Sequence, residues 1–162
     1  MNGVLKIHIK CSRTKRIIKT LIKRNTITYD AGDTIRALLA QRATDDAAAE
    51  LQLGSMRFGT DTTTPTRYDT DLIAEVPAVR KQLQDANKVD GITGEISLQA
   101  TMLSTEGNGN TFAEAGLFTF GPGAWNDGVG GSLTMFSRQV HAGIPKTSAF
   151  TLEYNWTIQF TT

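Results

Sequence analysis

The residues that come closest to a chemical signature lie in one run, Gly121–Gly131, which reads GPGAWNDGVGG. Five glycines in eleven residues raise the possibility of a phosphate cradle. That chemistry needs G-x-G-x-x-G between a strand and a helix, so that free N–H groups and the helix dipole face the anion. Gly121 and Gly123 have the first spacing, but Asn126 stands where the third glycine belongs, and no lysine follows in the P-loop position. The run leads into SLTMFSRQV, which reads as a strand rather than a helix. The sequence therefore predicts a wide loop between two antiparallel strands, with Gly, Asn and Asp supplying positive φ at little cost. Trp125, beside Asn126 and Asp127, is the odd member of this loop. A tryptophan there either folds back onto the domain or anchors a neighbouring molecule, where tryptophan is a favoured hot spot.

Other reactive side chains are sparse. His141 would need a nucleophile and an orienting acid to act as a catalytic base, and the sequence supplies no such constellation. His8 is expected on the outer face of a strand. Cys11 is the single cysteine, which excludes an internal disulfide, and two distant histidines without a CxxC make a zinc site improbable. Glu106, Glu114 and Asp127 have no spacing that fixes a carboxylate pair for glycoside chemistry. Asp61, Asp69 and Asp71 flank a Thr-rich stretch but lack the D-x-D-x-D-G pattern of a calcium loop. All these acids are expected to be solvated residues on loops. No catalytic, metal-binding or cofactor-binding residue is assigned, and no cofactor is expected.

Charge gives a clearer signal. The 162-residue chain has a net charge of +1, yet residues 1–24 hold eight cations and no acid, while the rest holds nine cations against sixteen acids. A basic start on an acidic body suits nucleic acid or an acidic protein surface. No Phe, Tyr or Trp precedes Tyr29, so the stacking platforms of a single-strand binder are missing and nucleic acid is disfavoured. Self-assembly satisfies the charge more simply, since one copy's basic segment can face the next copy's acidic body. Arg13, Lys15, Arg16, Lys19, Lys23 and Arg24 are the candidate contact residues, together with Trp125, Asn126 and Asp127. No run approaches the ~18 consecutive apolar residues of a membrane span, and MNGVLKIHIK lacks the apolar core of a signal peptide. A cytoplasmic site of synthesis and no membrane partner are expected.

The elements that would position these residues are mostly strands. Leu5, Ile7 and Ile9 alternate in VLKIHIK, and a hairpin turning near Ser12–Lys15 into RIIKTLIKRNTITY fits better than a helix over 16–24. A helix is predicted over 33–43, with Asp33 as N-cap and Ile35, Leu38 and Leu39 on one face. A short strand around Met56–Phe58 ends at Gly59, and Leu72, Ile73 and Val76 return the chain to the core. PAVRKQLQDANKVDG is ambiguous. Ile96, Leu98, Ala100 and Met102 then share one face, TFAEAGLFTF follows as a strand, and FTLEYNWTIQF places six apolar residues, Phe150 to Phe160, in strict alternation. Such a pattern suits an antiparallel sheet with one buried face. The predicted fold is mainly β: an antiparallel β-sandwich of jelly-roll or Ig-like type, with an N-terminal β-hairpin and one or two short helices. Residues 1–29 form a basic hairpin or arm and 30–162 the sandwich, within a single compact domain.

Three stretches carry a family resemblance: MRFGTDTTTPTRYDTDLIAEV, GNGNTFAEAGLFT and LTMFSRQVHAGIPKTSAFTLEYNWTIQF. They resemble small structural proteins of tailed bacteriophages, of the tail-fibre, baseplate or capsid-decoration kind. The matching positions are Gly59, Thr60, Pro65, Asp69, Thr70 and Leu72, then Glu114–Phe118, then Lys146, Thr147, Leu152, Tyr154, Trp156, Thr157 and Ile158. The three stretches lie within residues 56–160, a span of about two-thirds of the chain. It implies a non-enzymatic virion part with no catalytic residues, partnered by itself, a trimer being the expected state, and by other virion proteins. A tail role is placed ahead of a capsid cement role. A carbohydrate-binding receptor module, with Trp125 as platform, is a further alternative. At these positions Gly116 is expected to allow close approach beside the sheet, Glu114 to accept hydrogen bonds from backbone or an arginine, and Trp156 to fill the core.

Overall fold

The computed structural model describes residues 2–24, 26–29, 53–83, 88–91, 95–119 and 134–159. In chain order the strands are β1 (Asn2–Cys11), β2 (Ile17–Arg24), β3 (Thr26–Ile27), β4 (Leu53–Gly59), β5 (Lys81–Gln82), β6 (Lys88–Gly91), β7 (Glu95–Met102), β8 (Thr111–Thr119), β9 (Met135–Pro145) and β10 (Phe150–Gln159). They form two sheets, in the orders β2-β1-β10-β7-β6 and β3-β9-β8-β4-β5. Every pairing is antiparallel. The architecture is mainly β and sandwich-like. Pro77–Val79 forms a short 3-10 turn. The helix predicted over 33–43 and the Gly121–Gly131 loop lie outside the described residues.

Alternation decides which side chains enter the core. Leu152, Tyr154, Trp156 and Ile158 of β10 are buried, while Glu153, Asn155 and Thr157 face outward. The register aligns Trp156 with Leu5 on one side and Leu98 on the other, and Tyr154 with Ile7 and Ala100. Met56, Phe58, Phe112, Ala115, Leu117, Phe136 and Ile144 join them from the second sheet. Each large apolar side chain buried here contributes roughly 1.5–3 kcal/mol. The outer face of the first sheet is a polar ladder. Gln99 donates to Asn155 at 2.9 Å, Ser97 meets Thr157 at 3.3 Å, and Lys10 pairs with Glu153 at 2.5 Å.

The second sheet is buried on both faces. In β8 every residue from Phe112 to Thr119 is buried, as are Met135–Gln139 of β9. Its outer face is covered by residues 60–76. Leu72 joins Phe118 and Met135 there in a second, smaller cluster, separate from the main core. Two expectations change. Ile73 is exposed rather than buried, because its backbone N–H, not its side chain, is what the sheet holds. The ambiguous stretch after Val76 resolves into the 3-10 turn, β5 and β6.

The chain passes from β1 to β2 through Ser12–Arg16. Cys11 N–H donates to the Arg16 carbonyl at 3.0 Å and Lys15 N–H to the Cys11 carbonyl at 2.9 Å. Lys15 takes the left-handed conformation, φ 59°, which costs a residue with a Cβ roughly 1 kcal/mol. Lys15→Gly is expected to raise stability by about 0.5–1 kcal/mol in urea denaturation. A lower midpoint would show that the lysine side chain, not the turn geometry, matters at this position.

Candidate functional site

The densest charged cluster grows from a row across three strands. Gly116 of β8 stands opposite Arg57 of β4 and opposite Arg138 of β9. With no side chain at its centre, the row has a trough. A Cβ on Gly116 would lie 3.0 Å from Leu72 Cδ2 and 2.9 Å from Phe118 Cε2, so glycine leaves the space that Leu72 fills. Arg57 lies over the Phe118 ring, 4.5 Å from its centroid.

Arg138 is fully buried and uses its whole guanidinium. Nε and Nη2 each lie 2.8 Å from Glu114 Oε2, Nη1 donates to Asp69 Oδ2 at 3.0 Å and to the Thr63 carbonyl at 3.2 Å, and Nη2 donates to Asp61 Oδ1 at 3.3 Å. Glu114, also fully buried, accepts the Ala74 N–H at 2.8 Å and the Ile73 N–H at 3.3 Å. The acids outnumber the arginine, and loop donors compensate. Thr63 N–H binds Asp61 at 2.6 Å, while Thr66 gives Asp69 its N–H at 3.1 Å and its hydroxyl at 2.7 Å. The Thr63 N–H, with the Thr63 hydroxyl and Arg138, holds the Asp61 carboxyl below its ordinary range. Burial pushes Asp69 up, but Thr66 and Arg138 outweigh it and the carboxyl sits below its usual value. Burial alone would lower Arg138; Glu114 and Asp69 reverse that and raise it.

Glycine is required at one further point. A Cβ on Gly59 would stand 2.5 Å from the Ala74 carbonyl oxygen and closer still to Glu114 Oε1. Gly59 thus lets the loop backbone and the carboxylate meet over β4, where it also bridges to Glu75. Glu75 in turn takes both ends of Arg80, at 2.6 and 2.9 Å, and lies 3.6 Å from Arg57.

A second anchor holds the other loop. Lys146, buried, donates from Nζ to Asn108 Oδ1 at 3.0 Å and to the Thr147 carbonyl at 3.1 Å. Its backbone exchanges hydrogen bonds with Asn110 and Gly109, so the 103–110 turn is tied to the end of β9. Burial lowers the Lys146 ammonium below its usual value. Lys81 and Glu106 close the same turn at 2.6 Å, and Glu106 also accepts the Leu103 N–H at 2.7 Å.

The sequence-based candidates fall differently. Trp125, Asn126 and Asp127 lie outside the described residues. Arg13, Lys15 and Arg16 are exposed at the β1–β2 turn, and Lys19, Lys23 and Arg24 are exposed on β2. Of the acids expected to be solvated, Asp71 is exposed, but Glu114 is buried within a strand, and Asp61 and Asp69 are arginine ligands. Sequence reasoning proposed the backbone and arginine partners of Glu114 but did not find Arg138 or Arg57. The available signal was a glutamate inside the apolar run FAEAGLF, which must be neutralised if it is buried. His8 meets Thr20 at 2.9 Å, at the outer face. His141 is buried in β9, with Nδ1 against the Ala142 carbonyl at 2.9 Å and its ring 5.9 Å from that of Tyr154. Among the described residues, no three His, Cys, Asp or Glu side chains converge as metal ligands. An open depression on the polar face is lined by Val4, Lys6, Glu95, Asn155, Thr157 and Gln159.

The chain matches no protein-family model, no curated protein and no solved structure. The fold nevertheless brings parts of the motif stretches together. Gly59, Asp69 and Leu72 of the first stretch meet Glu114 and Gly116 of the second at the Arg138 cluster.

Removing the arginine leaves buried carboxylate uncompensated. Arg138→Met is expected to cost about 3–5 kcal/mol in urea denaturation, and adding Glu114→Gln to recover part of the loss. A loss below about 1 kcal/mol would mean that the cluster behaves as an exposed ion pair. A second expectation concerns pH. Burial lowers the His141 pKa, so the folded chain keeps it neutral while the unfolded chain takes up a proton below about 6.5. Its contribution is complete above that pH and is lost as pH falls. His141→Gln should flatten this fall in denaturation midpoints measured between neutral and mildly acidic pH, and an unchanged slope would assign the fall to other groups.

Proposed function

We propose that the chain is a non-enzymatic structural subunit of a tailed-bacteriophage virion, built into the tail as part of a fibre, baseplate or adaptor. One observation carries this reading. Arg138, Glu114, Asp69 and Lys146, which the motif stretches gather, are engaged by one another, by backbone and by Asn108, as loop anchors rather than reactive groups. Glu114 accepts two amides and an arginine, and Lys146 donates to a turn. Such a site fixes shape, which suits a part that must present the same surface in every copy. In this reading the subunit is made in the host cytoplasm, resides in the virion, and binds copies of itself and other virion proteins. We take β1 and β2 as the N-terminal hairpin. The sandwich is closer to a jelly roll than to an Ig fold, since its first and last strands, β1 and β10, lie side by side and antiparallel.

A carbohydrate-binding receptor module is a second reading, favoured by an exposed aromatic pair. Tyr29 and Tyr68 pack with ring centroids 5.2 Å apart, and Arg67 lies over Tyr29 and donates to its hydroxyl at 2.9 Å. Aromatic faces backed by polar donors suit sugar rings.

The test is the particle. Purified virions from the genome that encodes the chain should contain it at a fixed copy number, and electron microscopy should place it at the tail. Its absence from the particles would overturn the virion reading. Glycan-array binding by the purified chain that Tyr68→Ala abolishes would favour the receptor reading instead.

A further inference from the structure

The cations of the described residues divide by partner. Lys10, Arg57, Arg80, Lys81 and Arg138 each meet a carboxylate. Arg13, Lys15, Arg16, Lys19, Lys23 and Arg24 are exposed and form no ion pair among the described residues. This second group lies in the β1–β2 turn and on β2, neither of which holds an acid. Strand β2 is also the most exposed of the long strands. Seven of its eight residues are exposed, and Ile17, Ile18 and Ile22 are 53%, 58% and 61% accessible. Its only described neighbour is β1, so its other edge presents backbone donors and acceptors that no described strand takes. The two faces of that edge differ. Lys19, Leu21 and Lys23 stand opposite Ile9, Ile7 and Leu5, on the face that continues the core, and Leu21 packs against that core. Thr20 and Ile22 stand opposite His8 and Lys6 on the outer face. Inward lysines of this kind reject indiscriminate pairing with apolar strands.

We infer that β2 is the docking edge for an acidic, extended segment of another protein, added to the first sheet as a further strand. The faces specify the segment. Lys19 and Lys23 are four residues apart, roughly 13 Å along a strand, so the segment carries acids at i and i+4 on its inner side. Between those acids an apolar residue faces Leu21; on the outer side an apolar residue faces Ile22 and a hydroxyl faces Thr20. Read antiparallel, as every pairing in this fold runs, the segment is Glu-Ile-Val-Thr-Glu in kind. The chain does not supply it from its described strands, none of which carries two acids. Its described acids are mostly engaged as well: Asp61, Asp69, Glu75, Glu106, Glu114 and Glu153 each meet a cation already. A second copy's β2 would bring lysines against lysines, and like charges across strands repel. An anionic membrane would take the isoleucines and the cations, but a strand edge sunk in hydrocarbon leaves its backbone unbonded. A nucleic acid would take the cations alone, as phosphate contacts, and leave the edge and the isoleucines without partners. An acidic strand uses all three features: charge steers the encounter, backbone bonds hold the strand, and alternating side chains select it. The inference concerns the surface of the chain and does not depend on the virion reading.

The experiment titrates the full chain against a fluorescently labelled peptide with Glu-Ile-Val-Thr-Glu at its centre, following anisotropy and amide hydrogen exchange. The peptide should bind, bind less well as salt rises, and slow exchange in β2. A peptide of the same composition with Glu-Glu-Ile-Val-Thr at its centre should bind about tenfold or more weakly. Lys19→Glu/Lys23→Glu should lose the first peptide by about tenfold or more and gain one with Lys-Ile-Val-Thr-Lys at its centre. Should thermal unfolding show that this variant does not fold, Lys19→Gln/Lys23→Gln should show the same loss. Absence of binding would overturn the inference. So would equal binding of the two orderings, binding indifferent to the lysines, or β2 amides left unprotected. Tighter binding to a phosphatidylserine vesicle or to a single-stranded DNA oligonucleotide than to the peptide would also overturn it, and would assign the edge to a membrane or to nucleic acid.

Discussion

The buried pair between Arg138 and Glu114 is the constraint from which the second sheet is organised. Both side chains are removed from water, which costs several kcal/mol per ion unless every polar atom is recaptured. The recapture decides the path of the chain. Glu114 takes the amides of residues 73 and 74, and Arg138 reaches a carbonyl at 63 and carboxylates at 61 and 69. A segment without regular secondary structure is thereby fixed at five points. Two glycines follow as necessities: residue 59 must let a carboxylate and a carbonyl approach its Cα, and residue 116 must leave room for Leu72. The apolar patch beneath the loop is small, so the polar contacts specify its position more than burial does.

The two sheets solve their outer faces differently. The first exposes hydroxyls, amides and ion pairs to water and needs no cover. The second has Phe118 and Met135 on its outer side and must be covered. Arg57 contributes to that cover by lying over Phe118 while Glu75 compensates its charge. Lys146 repeats the principle at the other end, where one buried cation ties the 103–110 turn to β9. Lys146 ends on the Asn108 and Thr147 oxygens, whereas Arg57 spends its length on the Phe118 ring and reaches Glu75 only at 3.6 Å.

Much of the fold was legible because it rests on local period. The alternation of Ile96–Met102 and Phe150–Ile158 required only that one face be buried, and it is. Gly116 and Glu114 were legible in kind, since a glycine within a strand marks a close approach and a glutamate within an apolar run must be bonded. The partner was not. Arg138 lies 24 residues from Glu114 and 69 and 77 from Asp69 and Asp61, and which face it takes depends on register shifts in the β8–β9 pairing. No local pattern carries that register. For the same reason the acids looked solvated, because an aspartate in a Thr-rich stretch reads alike whether or not an arginine arrives from a distant strand. Ile73 shows the converse: an apolar side chain that hydropathy assigns to the core is exposed because its backbone is tied down.

These anchors bear on association as well as on stability. Any contact between copies must overcome the loss of translational freedom and the ordering of the surfaces that meet. A loop already fixed by a buried guanidinium, and a turn already fixed by a buried ammonium, have little ordering left to undergo. Strand β2 is likewise held in register with β1 from Val4 to Lys10, with one bulge, before any neighbour arrives. Weak repeated contacts need such preorganisation, because each gains little on its own. The internal charge network fixes the shape of the second sheet and its covering loop, while the exposed basic face of β2 leaves its charge to solvent.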